Sequence, residues 1–170
     1  MRRSEKGAEI VYSALKEAGI NFVVYLPESW MYHLYDLALK DKEMPTVCVT
    51  REEEGFAVAA GAFLGGKKPV MFLENTGLGN SGNILSSVHL LCHIPVLILA
   101  AFRTDMGDNA FFASGARCTE PWLQALGIPY VVLRDRAMAR RMIIDAQVSA
   151  EAQKIPMALL LTKQLLWEEE

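Results

Sequence analysis

The chain has 170 residues, 52% hydrophobic and 22% charged, with 12 glycines and 7 prolines, which suits one compact domain and argues against disorder or a fibrous repeat. A formal net charge of -3 leaves no basic footprint for a general nucleic-acid binder, whose affinity rests on Lys and Arg neutralising phosphates. Cys48, Cys92 and Cys118 form an odd set without CxxC spacing, so neither a disulfide framework nor a zinc site is expected, and reduced thiols in a cytoplasm fit best.

Glu5, Lys6 and Glu9 interrupt any early apolar stretch that could serve as an export signal. The most apolar window, 94–102, falls well short of the roughly twenty residues of a membrane-spanning helix. Ile10, Val11, Ala14, Leu15 and Ala18 recur at helical spacing, with Ser4 placed to cap the helix and Gly19 to stop it in a left-handed conformation. The apolar run 22–26, closed by Pro27, predicts a strand buried on both faces. The alternation continues with a helix over 29–40, a strand at 46–49, a helix over 53–64, a strand at 70–73 and a helix over 81–91. A strand at 96–100, a helix over 120–126, a strand at 130–133, a longer helix over 136–153 and a strand at 157–161 complete it. Helices alternating with uninterrupted apolar strands predict a three-layer α/β/α domain with a mainly parallel sheet, filling residues 1–170.

Residues 103–117 show no periodicity and read either as a mobile surface excursion or, given Phe111 and Phe112, as a lid or partner surface. Glu168, Glu169 and Glu170 read as a solvated end.

Ligands of open parallel sheets bind beyond the carboxyl ends of the strands. Three loops reach that edge: 26–29 (LPES), 50–54 (TREEE) and 74–80 (ENTGLGN). Gly77 and Gly79 let the third turn tightly and approach a ligand, yet it completes neither a dinucleotide fingerprint nor a P-loop. The three glutamates of the second suit a helix N-terminus on dipole grounds alone. The small residues that follow, 55–62, suit close approach to another helix or subunit.

Glu52 followed nine positions later by Gly61 on an Ala-rich helix, then PVMFL, NTGLGN with Asn83, and HIPVL, resembles the pyrimidine-binding domain of thiamine-diphosphate-dependent decarboxylases. GGKKPV, LPESW and ALGIPY further resemble sulfopyruvate decarboxylase alpha subunits and the related phosphonopyruvate decarboxylases. The resemblance implies that Glu52 is the catalytic glutamate. It would hydrogen-bond the pyrimidine ring nitrogen of thiamine diphosphate and favour the cofactor's imino form. It assigns Asn75, Thr76, Gly77, Leu78, Gly79 and Asn80, with Glu52, to cofactor binding.

No GDG sequence is present, and Gly107-Asp108-Asn109 is the nearest approach. The diphosphate and Mg2+ half is therefore expected on a separate beta subunit, homodimer contacts being a further expectation, and the chain alone is expected to be inactive. The implied reaction converts sulfopyruvate to sulfoacetaldehyde and CO2. The alternatives are phosphonopyruvate or another 3-substituted pyruvate as substrate, or a noncatalytic binding module with the same fold.

On the substrate side the candidates are Pro27, Glu28, Ser29, His93 and Arg103. Ser29 fits equally as a helix N-cap. Arg103 suits a tetrahedral anion or a surface ion pair. His89 and His93, four apart, have no third ligand nearby; a structural role is favoured for the pair, with His93 bordering the site. The eight methionines and Trp30, Trp122 and Trp167 read as packing.

Overall fold

Strands with no polar alternation have no face to offer water, and the fold places them in its middle layer. The computed structural model describes residues 2–103, 108, 111 and 113–168. In chain order these form β1 (Arg2–Arg3), α1 (Glu5–Glu17), β2 (Phe22–Tyr25), a 3-10 turn (Ser29–Met31), α2 (Tyr32–Lys40), β3 (Thr46–Cys48), α3 (Glu52–Leu64) and β4 (Pro69–Glu74). They continue with α4 (Gly77–Asn80), α5 (Gly82–Ile84), a π-helix (Leu85–Leu90), β5 (Leu97–Ala101), α6 (Ala113–Leu126), β6 (Tyr130–Leu133), α7 (Arg136–Gln153), β7 (Met157–Leu161), α8 (Lys163–Leu166) and β8 (Trp167–Glu168).

Six strands make one sheet in the order β3-β2-β4-β5-β7-β6, and every neighbouring pair is parallel. Alternate residues of a strand feed opposite layers. Val70 and Phe72 of β4 join Val11 and Leu15 of α1, Leu34 of α2 and Ile143 of α7 in one core. Met71 and Leu73 join Phe56 of α3, Leu85 of the π-helix and Leu123 of α6 in the other. This is the three-layer α/β/α architecture expected from the sequence. Among the described residues no helix is long and apolar enough to cross a membrane.

The first helix is bounded as its sequence predicts: Ser4 Oγ accepts from Gly7 N at 2.9 Å, and Gly19 takes a φ of 79°. Other expectations are corrected. The turn after β4 is helical from Gly77, as α4, and the helix expected over 81–91 is divided into α5 and a π-helix. The aperiodic 103–117 segment is shortened by α6, which begins at Ala113 and carries Pro121 within it. Phe112, Gly107, Asn109, Glu169 and Glu170 lie outside the described residues. Glu168 is no solvated end: it pairs with Arg2 in an antiparallel two-residue ribbon and accepts from Ser4 Oγ at 2.9 Å.

Candidate active site

All three loops singled out from the sequence leave the sheet at its carboxyl edge, after β2, β3 and β4. Arg51 is extended, with φ -144° and ψ 150°, so Glu52 is the first residue of α3. The three glutamates of that turn then diverge. Glu54 turns back, its Oε2 accepting from Thr50 N at 2.9 Å and Thr50 Oγ1 at 2.8 Å, and these donors hold its carboxyl below the ordinary glutamate range. Glu53 Oε1 meets Arg51 Nε at 2.7 Å. Glu52 instead leans onto the turn after β4: Asn80 Nδ2 lies 3.5 Å from its Oε2, the long limit of a hydrogen bond.

That approach depends on a missing side chain. A Cβ at Gly77 would fall 2.3 Å from Glu52 Cγ and 2.5 Å from its Oε1, inside any tolerable contact. Gly79 is similarly used, because a Cβ there would fall 1.7 Å from the Trp122 ring, so α6 lies directly on the turn. Gly115 brings α6 down beside Thr76, whose Cγ2 would be 2.1 Å from an added Cβ. A turn without side chains at these points is clasped between α3 and α6.

The remaining turn residues divide between core and surface. Asn75 is fully buried and structural in its contacts: Nδ2 donates to Thr119 Oγ1 at 2.8 Å, and Oδ1 accepts from Arg103 N at 3.2 Å. Thr76 Oγ1 donates to Glu74 Oε1 at 2.7 Å. The Leu78 side chain is buried, leaving its backbone to any ligand, while Asn80 is exposed. Asn83 is exposed as well, its carbonyl accepting from Ser86 and Ser87.

The substrate-side candidates separate. Pro27 and Ser29 are exposed, and it is Glu28 rather than Ser29 that caps the short helix, its Oε2 accepting from Trp30 N at 2.6 Å. Arg103 is 8% exposed, so its ion pairs are interior and not at the surface as its position after a strand suggested. Nη1 meets Glu28 Oε1 at 2.8 Å and Nε meets Asp108 Oδ2 at 2.8 Å, with the guanidinium 4.7 Å from the Trp30 ring centroid. Burial pushes the Glu28 carboxyl up from the ordinary glutamate range, against the opposing pull of Arg103 and the Trp30 amide.

His93 is elsewhere. It precedes β5, at the amino edge of the sheet, in a cleft of about 580 Å³ that it shares with Lys67, Lys68 and Lys154. The candidate site lies at the opposite edge, so His93 does not border it. His89 is fully buried, as its structural reading expects: Nδ1 lies 2.9 Å from Ile94 O and Nε2 3.0 Å from Phe56 O. Among the described residues no group of three or more His, Cys, Asp or Glu could hold a metal ion.

Asp108, Trp122 and Thr119 are contacts that sequence reading missed. Trp122 was read only as packing, and Thr119 and Trp122 acquire their partners on the turn through α6, while Asp108 meets Arg103.

Residues 5–108 match the family described as thiamine pyrophosphate enzyme, N-terminal TPP binding domain. Over 96% of its length the chain is 34% identical to sulfopyruvate decarboxylase subunit alpha of Methanococcus maripaludis, covering 98% of that protein. It is 40% identical over 80% of its length to the subunit of the same name from Methanothermobacter thermautotrophicus, covering 83% of it. Phosphonopyruvate decarboxylase of Streptomyces viridochromogenes is 33% identical over 61% of this chain, which spans only 26% of that protein. Among solved structures, 2-oxoglutarate:ferredoxin oxidoreductase from Magnetococcus marinus superimposes with a TM-score of 0.74 over 95% of this chain, at 19% identity. The chain spans 29% of that protein, and the likeness is one of fold.

Proposed function

The chain belongs to the thiamine pyrophosphate enzymes, through their N-terminal TPP-binding domain, and within them to the sulfopyruvate decarboxylase alpha subunits, and from that premise we propose that Glu52 is its cofactor-activating residue in the decarboxylation of sulfopyruvate to sulfoacetaldehyde. The observation that carries this reading is the approach of Glu52 to Gly77, which needs a side-chain-free turn at that point. Of the three glutamates, Glu54 is committed to Thr50 and Glu53 pairs through Oε1 with Arg51, and Glu52 is the one whose carboxylate is seated on the turn.

The residues present suit a thiamine head group. Glu52 would hold a proton against a ring nitrogen, and the backbone of 75–80, on which Glu52 is seated at Gly77, would line the ring. The bound cofactor supplies the electron sink that takes up the pair released with CO2. Asn75 contributes indirectly, as the buried tie that fixes the turn to Arg103 and Thr119. Ser29, Glu28 and Arg103, gathered at the same sheet edge, form the substrate side.

The partner is a second chain that carries the diphosphate and Mg2+ half. The relatives matched nearly end to end are named alpha subunits, which supports this. The outer face of α3 is apolar and uncovered, with Leu64 74% exposed and nothing within 4 Å of a Cβ at Gly61, which suits burial against a further chain.

Co-expression with a GDG-containing chain, followed by an assay of aldehyde release from sulfopyruvate with thiamine diphosphate and Mg2+, tests the reading. Activity is expected of the pair and not of this chain alone. A pair that binds cofactor yet leaves sulfopyruvate untouched would overturn it. Phosphonopyruvate run in parallel decides between the two substrates.

A further inference from the structure

At the carboxyl edge of the sheet, two interior carboxylates face one guanidinium. Arg103 Nη1 donates to Glu28 Oε1 at 2.8 Å and reaches Ser29 Oγ at 3.5 Å. Its other edge is held as a fork, Nε donating to Asp108 Oδ2 at 2.8 Å and Nη2 to Asp108 Oδ1 at 3.3 Å. The side chains of Glu28 and Asp108 are 2% and 8% exposed. Glu74 lies near enough to act on Glu28 by charge.

Such a cluster is an odd neighbour for an anionic substrate. Glu28 is fixed in place by the Trp30 amide and the Trp30 ring backs the guanidinium, so these two hold Arg103 in aim. Asp108 differs, because it fills the Nε/Nη2 fork, the edge with which a guanidinium grips a carboxylate or a tetrahedral oxyanion bidentately. A sulfonate presents the same pattern of paired acceptor oxygens.

Resting on the function proposed above, we infer that Asp108 is a specificity-determining residue whose carboxylate stands in for the substrate's sulfonate on the Arg103 fork and is displaced when the substrate binds. The exchange replaces one anion by another, so the guanidinium is never left without a counter-charge in the interior. A 2-oxo acid with no anionic group on its third carbon has only the carboxylate that reacts at the cofactor, so with that group engaged there nothing displaces Asp108 from the fork. Attraction to Arg103 thus favours an anionic group on the third carbon, and competition from Asp108 sets how strongly.

The test is the ratio of kcat/KM for sulfopyruvate to that for pyruvate in the co-expressed pair. Asp108→Asn removes the competing charge and is expected to raise the ratio about three- to tenfold, through a lower KM for sulfopyruvate. Arg103→Gln is expected to lower the ratio by at least about tenfold. Asp145→Asn, at an exposed surface pair, is the control. Asp108→Ser is measured alongside, in case the first variant fails to fold. A ratio unchanged or lowered in a folded Asp108 variant would overturn the inference.

If the wild-type pair turns over neither acid, the proposed function fails on its own. The inference is then read from the full chain titrated with methanesulfonate, following the Arg103 Nε–H resonance. A shift at lower concentration in Asp108→Asn than in the wild type supports it, and identical behaviour, including no shift in either, overturns it.

Discussion

Glu52 and Gly77 approach so closely that a single methyl group on the glycine would lie 2.3 Å from the glutamate's Cγ. The two come from different strand ends, after β3 and after β4, and only the parallel pairing of β2 with each of these strands brings them together. Gly77→Ala must therefore push the carboxylate off the turn. We expect aldehyde release by the co-expressed pair to fall about a hundredfold, the scale on which small misplacements of reacting groups act, with little change in thermal midpoint. Gly82→Ala, where nothing lies within 4 Å, should keep wild-type activity.

Trp122 is 40% exposed, yet its ring lies flush on Gly79. Gly79→Ala should cost about 1–3 kcal/mol through overpacking. Trp122→Ala in the same chain should recover part of that loss, because the clash has gone. Urea denaturation of the two single variants and the double variant measures the coupling, and strict additivity would contradict the contact.

Asn75 is a buried hub, and both ends of its amide are used by groups on other elements. Asn75→Ala removes the tie between the turn, α6 and Arg103, with Thr119 Oγ1 keeping its bond to Gly115 O and the Arg103 amide its bond to Ala101 O, at a cost of about 1–3 kcal/mol. Thr119→Val should cost less, since Asn75 keeps its bonds to Arg103. Equal losses in urea denaturation would place the weight on Thr119 instead.

Burial holds the His89 imidazole below the ordinary histidine value, with the Ile94 and Phe56 carbonyls pulling the other way. A group whose pKa is lower in the folded than in the unfolded chain binds protons more readily when unfolded. Its contribution to stability is present above the unfolded value of about 6.5 and is lost as pH falls below it. Denaturation midpoints should thus decline between about pH 7 and 5 in the wild type and more weakly in His89→Gln. A steeper decline in the variant would contradict the assignment.

Much of the architecture was legible in sequence because the strands are apolar runs and the helices carry clear stops. The bounds of α7 and of β7 coincide with those predicted, since Asp135 caps one end of the helix and Lys154 turns left-handed at the other. The start of α6 was hidden by Gly115 and Pro121, which speak against a helix when read locally but are accommodated by its packing on the turn. The ribbon of Arg2–Arg3 with Trp167–Glu168 joins chain ends, a contact no local pattern announces. In the site, Glu52 and the glycines were visible through their motif. Asp108 was not, because an aspartate in an aperiodic stretch gives no sign of its partner.

The most direct test of the central claim compares Glu52→Gln, Glu53→Gln and Glu54→Gln in the co-expressed pair, with sulfopyruvate, thiamine diphosphate and Mg2+. Glu52→Gln should lower kcat by at least about a hundredfold while the pair still assembles, and the other two should stay within a few-fold of wild type. Wild-type turnover by Glu52→Gln, or the large loss falling on Glu53 or Glu54 instead, would contradict the account.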